Sequence, residues 1–349
     1  MKRIHNITST DKTAENAAHN RWNSIAKPLG SLGLFEDTIE KIAAIQGTEN
    51  VNIGKRTVVV MCADNGVVCE GITQSDSSVT AVCTNAIANG TSNINALAAT
   101  FGAEVLAVDI GVKSDLNNPK ILARKIACGT KNIAEGMAMT IEQAECAICV
   151  GMDIVHDLKN GGTKIIVTGE MGIGNTTTAS AISAVLLELP PREVTGRGAG
   201  LDSEKLLKKF SVVERAIGIN RPDKDKPVEL LSKLGGFDIA GMVGIFLGGS
   251  YYHIPVVIDG VISAVAAVLA CKINPLAAEY MLPSHVSAEP SGKLLLESIG
   301  LKPLITAEMR LGEGTGGVML LPLLDGALSV YNDAHRFDEI SMERYKELK

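Results

Sequence analysis

The stretch KIIVTGEMGIGNTTTASAISAVLL, residues 164–187, is the most informative about the fold because it contains a strand, a glycine-rich turn and a helix in direct succession. Its first five residues form an apolar, β-branched run that is typical of a buried strand. Gly169, Gly172 and Gly174 allow a tight turn, and Thr176 stands where it can cap the following helix. This succession predicts a parallel sheet with helical crossovers.

Four further apolar runs are predicted to be strands of the same sheet. They are RTVVVMC (56–62), EVLAVDI (104–110), IPVVI (254–258) and GVMLLP (317–322). Helical patterns lie between the strands, at residues 77–90, 140–158, 176–189, 203–218 and 261–272. The alternation predicts an α/β fold with a mostly parallel sheet and helices on both faces.

Both ends of the chain differ from this sheet-forming region. Residues 1–50 and 323–349 are more polar and carry helical patterns. We expect them to pack together as a small helical domain beside a large α/β domain formed by residues 51–322.

The composition excludes several functional classes. A net charge of −6 and an aromatic content of 3% argue against nucleic-acid binding, which needs basic side chains and stacking platforms. Seven cysteines, an odd number, in a chain of 349 residues argue against a disulfide scaffold. The N-terminus has no apolar signal core, and the longest uncharged apolar stretch, Val261–Cys271, is too short to cross a membrane. We therefore expect a soluble, cytoplasmic protein with no membrane partner.

Polar turn residues follow four of the predicted strands. They are Asp64-Asn65-Gly66, Asp109, Gly169-Glu170 and Asp259-Gly260. In open α/β sheets the ligand crevice forms at the carboxyl ends of the strands. Asp and Gly are also common in ordinary turns, but their presence at four strand ends together favours a binding site.

Two glycine-rich segments could hold a phosphate. In the first, free N–H groups at the start of the helix favour an anion, but the spacing only half matches a dinucleotide-binding fingerprint and lacks the lysine of a P-loop. The second, TGRGAGLDSEKLLKK (195–209), contains Gly196, Gly198 and Gly200, and its Arg197, Lys205, Lys208 or Lys209 could neutralise a phosphate. An ordinary turn and a solvated basic helix face are the alternatives.

The acid–base candidates are two glutamates in glycine turns. Glu313 lies in MRLGEGTGGVMLLP (309–322), just before an apolar run, and Glu170 lies in the first glycine-rich turn. Partial desolvation would raise the pKa of Glu313 and make it a better base, although a surface turn is an equal alternative. The six histidines form no metal-binding pattern, and Cys146-Ala-Ile-Cys149 is interpreted as core. We therefore predict neither a metal nor a cofactor.

Nine motifs spread over almost the whole chain carry a family resemblance. They are RWNSIAKPLGSLG (21–33), CADNGVVCEGITQ (62–74), VDIGV (108–112), TGEMGIGNTTTASAI (168–182), TGRGAGLD (195–202), GGFDIAGMVG (235–244), PVVIDGVISAVAA (255–267), PSHVSAEPSG (283–292) and LGEGTGGVMLLPLL (311–324). Together they resemble the nicotinate-nucleotide:dimethylbenzimidazole phosphoribosyltransferase family, whose members prepare the lower ligand of cobamides.

The resemblance implies a Rossmann-like large domain, a homodimer, and transfer of phosphoribose from nicotinate mononucleotide to a base with inversion at C1′. Glu313 falls on the family's catalytic glutamate. The implied nucleotide- and phosphate-binding residues are Glu170, Gly172, Gly174, Asn175, Thr176, Gly196, Gly198, Lys209, Ser287, Gly292, Gly312 and Gly314.

One position departs from the family pattern. Ser77 stands where many members carry a glutamine that helps hold the benzimidazole. Some relatives use phenol or p-cresol, and some of those work with a paralogous chain as a heterodimer. The expected acceptor pocket consists of Ser75, Ser77, Ser78, Met171 and Leu311. Its hydroxyl groups would fit a phenolic acceptor at least as well as a benzimidazole.

Two other functions stay open at this point. The G-x-G-x-x-T spacing after a strand is compatible with a dinucleotide-dependent oxidoreductase, although no second strand carries a clear ribose-binding acid. A non-catalytic subunit that supports an active paralogue is the third possibility, and the presence of both Glu170 and Glu313 speaks against it.

Overall fold

The computed structural model describes residues 2–346, and the strands within that range form one sheet. The strand order is β3-β2-β1-β4-β5-β6, and every described strand pair is parallel. The strands are β1 (Arg56–Ala63), β2 (Ala103–Gly111), β3 (Leu122–Ala123), β4 (Ile165–Met171), β5 (Val256–Ile258) and β6 (Met281–Pro283). This is the doubly wound order, in which the order of the strands reverses between β1 and β4 and a crevice opens at their carboxyl ends.

Helices cover both faces of the sheet. They are α1 (Lys12–Ser24), α2 (Leu34–Gln46), α3 (Ser78–Asn89), α4 (Asn93–Thr100), α5 (Ile141–Asn160), α6 (Asn175–Leu187), α7 (Pro191–Val194), α8 (Ser203–Asn220), α9 (Pro227–Leu234), α10 (Phe237–Tyr252), α11 (Val261–Ile273), α12 (Gly292–Ser298) and α13 (Thr315–Asp333). The α/β class and the parallel sheet with helices on both faces are therefore confirmed.

The central strand β1 separates two apolar cores. Val59 and Met61 point into a core that includes residues of α5, α10 and α11, whereas Val58 and Val60 point into a core that includes residues of α1, α2 and α13. Side chains alternate between the two faces of a strand, and both faces of β1 are covered. The strand is therefore apolar at nearly every position, as its sequence predicts.

One predicted strand is wrong. Residues 317–322 lie inside helix α13, which packs against β4 and places Gly317 next to Val167. A short apolar run bounded by glycine and proline cannot be assigned to strand or helix from periodicity alone. The other four predicted strands are confirmed, and the two short edge strands β3 and β6 were not predicted.

The chain ends contribute helices to one side of the sheet. Helices α1 and α2 share a core with α13, which begins at the predicted active-site turn and continues into the C-terminal region. The division into a small domain of residues 1–50 with 323–349 and a large domain of residues 51–322 stays a prediction. Met1 and residues 347–349 of that small domain lie outside the described residues.

Two further observations concern the helices. Between residues 2 and 346, no helix is both long and apolar enough to cross a membrane. On α5, Cys146 is exposed and Cys149 is partly exposed. The interpretation of this cysteine pair as core is wrong because α5 turns its other face, with Ala147 and Ile148, toward α10 and the apolar core.

Candidate active site

A cavity of about 270 Å³ opens at the carboxyl ends of β4 and β5. Its wall is built by the β4–α6 turn, the start of α11 and the segments 285–289 and 309–315. Ten predicted site residues line it: Glu170, Met171, Gly172, Asn175, Thr176, Gly198, Ser287, Leu311, Gly312 and Glu313. Residues from distant parts of the sequence therefore meet at this cavity.

Glu313 occupies a strained turn that leads into α13. Its φ is 61°, and the flanking Gly312 and Gly314 have φ values of 86° and 91°. The turn lies directly on β4, where a Cβ added at Gly169 would collide with the carbonyl carbon and oxygen of Glu313. A non-glycine residue in the left-handed region is uncommon and is often associated with function.

Asp259, directly after β5, binds the backbone of this turn through hydrogen bonds. Its carboxylate accepts hydrogen bonds from the N–H of Gly314 at 3.2 Å and the N–H of Gly317 at 2.9 Å. These are free N–H groups at the start of α13, so a carboxylate there also interacts favourably with the helix dipole. Burial raises the pKa of Asp259, and the neighbouring His285 opposes this shift.

The Glu313 carboxylate has the electrostatics of a base. Its Oε2 accepts a hydrogen bond from the N–H of Ile94 at 3.3 Å. Burial raises the pKa of Glu313, and the negative charge of Asp259 adds to the shift, whereas the contacts with Ile94 and Ser92 oppose it. A carboxylate with a raised pKa accepts a proton near neutral pH more readily than an exposed glutamate.

Glu170 belongs to a different, more deeply buried acidic pair. The side-chain amide of Asn175 donates to Glu170 and, at 3.1 Å, to Asp238. Burial raises the pKa of Glu170 to about 8 and that of Asp238 to about 6, and the negative charge of Asp238 adds to the shift of Glu170. The raised pKa favours the protonated form of Glu170, and a protonated carboxyl group can donate a hydrogen bond.

A cradle suited to an anion is formed by Thr176, Gly196, Gly198 and Lys209, of which Thr176 and Gly198 line the cavity. The Lys209 ammonium donates to the Thr176 hydroxyl at 2.9 Å and to the Gly196 carbonyl at 3.1 Å. Lys209 is only 1% exposed, and burial lowers its pKa to about 8. A buried cation beside a glycine turn and the start of α6 suits a phosphate group.

Two further predicted phosphate-site residues, Gly174 and Gly292, do not line the cavity but lie next to residues that do. Gly174 precedes α6 with a φ of 95°, and Gly292 begins α12 against Ser287, where an added Cβ would press on that side chain. Arg197 instead donates to the Leu201 carbonyl at 2.7 Å, and Lys208 is exposed. Of the basic residues in this segment, Lys209 is thus the one directed toward the cavity.

The three serines of the expected acceptor pocket do not lie in this cavity. Ser75 and Ser77 line a neighbouring cavity of about 620 Å³, together with Asp64 and Lys113. The Ser78 hydroxyl donates to Asp76 on the exposed side of the loop. Helix α3 instead presents Cys83 to the cavity with Glu313, and the serine part of the acceptor pocket stays a prediction.

The cavity is also lined by residues to which the sequence alone gives no specific catalytic or binding role, among them Cys83, Asp259, His285 and Glu289. The position of Asp259 directly after a predicted strand indicates a place near the site. His285 and Glu289 lie in the motif PSHVSAEPSG (283–292). No sequence pattern indicates Cys83, because the packing of α3 on the rest of the chain decides which face of the helix meets the cavity. In the part of the chain that the structure describes, no group of three or more His, Cys, Asp or Glu side chains could hold a metal ion.

Comparisons with known proteins agree on one family. A family model described as phosphoribosyltransferase matches residues 7–341. A nicotinate-nucleotide–dimethylbenzimidazole phosphoribosyltransferase of Clostridium acetobutylicum is 43% identical over 346 residues, which cover 99% of this chain and 98% of the relative. The chain belongs to this phosphoribosyltransferase family. A relative with the same name from Acetivibrio thermocellus is 46% identical over 326 residues, which cover 93% of each chain.

A solved structure of a family member supports the fold. The crystal structure of CobT from Thermus thermophilus matches with a TM-score of 0.90 and 36% identity, and the match covers 95% of this chain and 100% of that chain. Membership in the phosphoribosyltransferase family confirms that the protein is a pentosyltransferase. The oxidoreductase hypothesis, which rested on the glycine spacing, is therefore wrong.

Proposed function

We propose that this phosphoribosyltransferase moves 5-phosphoribose from nicotinate mononucleotide to an aromatic acceptor that becomes the lower ligand of a cobamide, with Glu313 as general base. The observation that carries the proposal is that Glu313, Thr176 and Gly198 line one cavity and that Lys209 donates to the Thr176 hydroxyl and the Gly196 carbonyl. A nucleotide whose phosphate enters the cradle can extend its ribose toward Glu313. The relatives' name supplies the donor and the acceptor class.

The donor chemistry matches the groups that are available. Nicotinate is attached to C1′ through a positively charged ring nitrogen, and it leaves as a neutral ring when that bond breaks. The leaving group therefore needs no proton from the protein. What the protein must supply is a hold on the phosphate, through the cradle, and an orientation of the two reactants, through the cavity wall.

The acceptor chemistry requires a base. The acceptor's lone pair attacks C1′ on the face opposite nicotinate, the C1′–N bond electrons return to the nicotinate ring, and the configuration inverts from β to α. The acceptor gains a positive charge and loses a proton, which we assign to the Glu313 carboxylate. The raised pKa of Glu313 supports this role, because the carboxylate then takes up the proton near neutral pH.

The acceptor side of the cavity favours a flat aromatic ring. Met171 and Leu311 line the same cavity as Glu313, together with Ile173 and Met309. Ser77, which stands where many family members carry a glutamine, lines the neighbouring cavity and not the one that contains Glu313. We propose dimethylbenzimidazole, the acceptor in the relatives' name, as the preferred substrate, with phenol and p-cresol as the alternative acceptors.

The test is a product analysis with the purified chain alone. Nicotinate mononucleotide is incubated with dimethylbenzimidazole, adenine, phenol or p-cresol, and the products are identified by mass spectrometry. We expect an α-ribotide of dimethylbenzimidazole and free nicotinate. A phenolic O-glycoside as the main product would replace the proposed acceptor, and nicotinate release with none of the acceptors would contradict the function.

The same preparation tests the partner state. We propose a homodimer rather than a heterodimer as the active form, because this chain itself contains Glu313 and Glu170 at one cavity and Lys209 bonded to the cavity-lining Thr176. Light scattering on the active sample gives the number of chains per particle. Activity that appears only after a paralogous chain is added would instead support the non-catalytic or heterodimeric role.

A further inference from the structure

A carboxylate of the protein itself, that of Glu289, occupies the cradle. The Glu289 carboxylate accepts a hydrogen bond from the N–H of Gly198 at 3.0 Å. A Cβ added at Gly196 would meet the same carboxylate before any other group. The charge of Glu289 also acts on Lys209, where its attraction partly offsets the effect of burial on the pKa of the lysine. Glu289 thus lies against both glycines and close to the cation.

A phosphate that enters the cradle must compete with this carboxylate. The N–H of Gly198 has one hydrogen to donate, and it is already given to Glu289. A phosphate at Gly196 and Gly198 would also stand beside the negative charge of Glu289 in a partly buried place, where like charges repel strongly. Both anions cannot use the cradle at the same time.

We propose that Glu289 is a built-in competitor for the cradle, which the phosphate of the donor nucleotide displaces and which makes free phosphate a poor ligand. The inference rests on the proposed function, because it takes the cradle as the phosphate site. A nucleotide gains further contacts along the cavity that offset the displacement, whereas inorganic phosphate does not. Glu289 therefore raises the Kd of every ligand that uses the cradle, and only a ligand with further contacts along the cavity still binds tightly.

Hydrogen bonds fix the backbone around Glu289, so its side chain can move out of the cradle without a backbone shift. The N–H of Ala288 donates to the Met309 carbonyl at 3.0 Å, and the N–H of Glu289 donates to the Ser287 hydroxyl at 3.3 Å. Pro290 follows and restricts the backbone further. Rotation about the side-chain bonds of Glu289 moves the carboxylate from Gly198 into the open cavity, which it also lines.

The experiment compares ligands of increasing size on variants of the full chain. Isothermal titration calorimetry measures the Kd of inorganic phosphate, ribose 5-phosphate and nicotinate mononucleotide for the wild type, Glu289→Gln and Glu297→Gln. Glutamine keeps the size and the acceptor oxygen of Glu289 but removes its charge. Glu297 is exposed on α12, so its variant makes the same change in net charge away from the cavity.

We expect Glu289→Gln to lower the Kd of inorganic phosphate about ten-fold or more, since apparent affinity falls with the fraction of molecules whose site is free. The Kd of the two larger ligands falls as well, because all three meet the same competitor. Glu297→Gln leaves every Kd within about two-fold of the wild type, as expected for an exposed change. Glu289→Ala, which also empties the space, should reproduce the tighter phosphate binding.

Two results would overturn the inference. An unchanged or higher phosphate Kd in both Glu289 variants means that the carboxylate does not compete. A weaker binding of ribose 5-phosphate and nicotinate mononucleotide alone means that Glu289 binds the ribose hydroxyls instead. Failure of the proposed function looks different: the wild type would then release no nicotinate with any acceptor, whatever the phosphate Kd of the Glu289 variants.

Discussion

The two ends of the active-site cavity are prepared in opposite ways. At the Glu313 end, backbone contacts with Gly169 and the hydrogen bonds from Gly314 and Gly317 to Asp259 hold the carboxylate in place before any ligand arrives. At the cradle, Glu289 already takes the N–H of Gly198, which the phosphate needs. The base is pre-organised, whereas the phosphate site must exchange one anion for another.

The largest effect is expected at the pre-organised end. Glu313→Gln should lower kcat about 10²–10⁴-fold, because the amide cannot take the acceptor's proton, while the KM for nicotinate mononucleotide changes little. The measurement is steady-state nicotinate release, with Glu297→Gln as the control. A loss smaller than about ten-fold would show that Glu313 is not the general base.

A change at Gly169, which contacts the Glu313 backbone, should lower kcat nearly as much. Gly169→Ala places a Cβ against the Glu313 backbone, so the turn must shift. We expect kcat to fall about 10²-fold from misplacement of the base and the free energy of unfolding to fall by about 1–3 kcal/mol from overpacking. Chemical denaturation and kinetics test the two parts separately.

Gly218→Ala is the matched control for this change. Gly218 lies in α8 with open space around its added Cβ. Alanine there should raise stability by about 0.5–1 kcal/mol and leave kcat unchanged. If both variants behave alike, the close contact between Gly169 and the Glu313 turn is not important for catalysis.

A change in the cradle should affect binding more than turnover. Lys209→Met should raise the KM for nicotinate mononucleotide about 10–100-fold, because a charge-assisted contact is lost, with a smaller effect on kcat. Lys208→Met, next to it but exposed, is the control and should behave like the wild type. Equal effects in both variants would show that only the general basic charge matters.

The lysine also predicts a pH dependence of binding. Burial lowers the pKa of Lys209 to about 8, and an amine is positively charged only below its pKa. The attraction for phosphate is therefore present at neutral pH and is lost as the pH rises through about 8. The Kd of nicotinate mononucleotide should increase over that range, and Lys209→Met should remove the increase.

The smallest effect is expected for Asp259, which positions the turn of the base Glu313 but does not take the proton itself. Asp259→Asn should lower kcat only about ten-fold, since asparagine can keep one of the two hydrogen bonds to α13. It also removes a negative charge that raises the pKa of Glu313, with Glu170 and Cys83 as the other titratable groups that interact with Glu313. Glu313 must be deprotonated to act, so activity is lost as the pH falls through its pKa.

The acid limb of kcat/KM should therefore move to lower pH in Asp259→Asn. A purely structural role for Asp259 would lower activity without moving the limb. Asp115→Asn, at an exposed carboxylate, is the control and should leave the profile unchanged. A limb that moves to higher pH would contradict the proposed interaction between Asp259 and Glu313.

Local sequence patterns predicted the parts of the fold that depend on neighbouring residues. The buried strands around Val59 and Ile166 and the glycine turn before α6 follow from apolar runs and from the backbone freedom of glycine. Residues 317–322 were misassigned because their apolar run has the same composition in a strand and in a buried helix. The capping of α13 by Asp259, some 55 residues earlier, is what favours the helix.

The α/β class, the family and the candidate base Glu313 can be read from the amino-acid order alone, because they depend on local periodicity and on contiguous motifs. Which residues face the cavity became known only from the folded chain: Ser77 lies in the neighbouring cavity, and Glu289 reaches Gly198 across 91 positions of sequence. Side-chain direction depends on how helices and loops pack on the sheet, and packing is a property of the whole chain. The competition at the cradle is therefore visible only after folding.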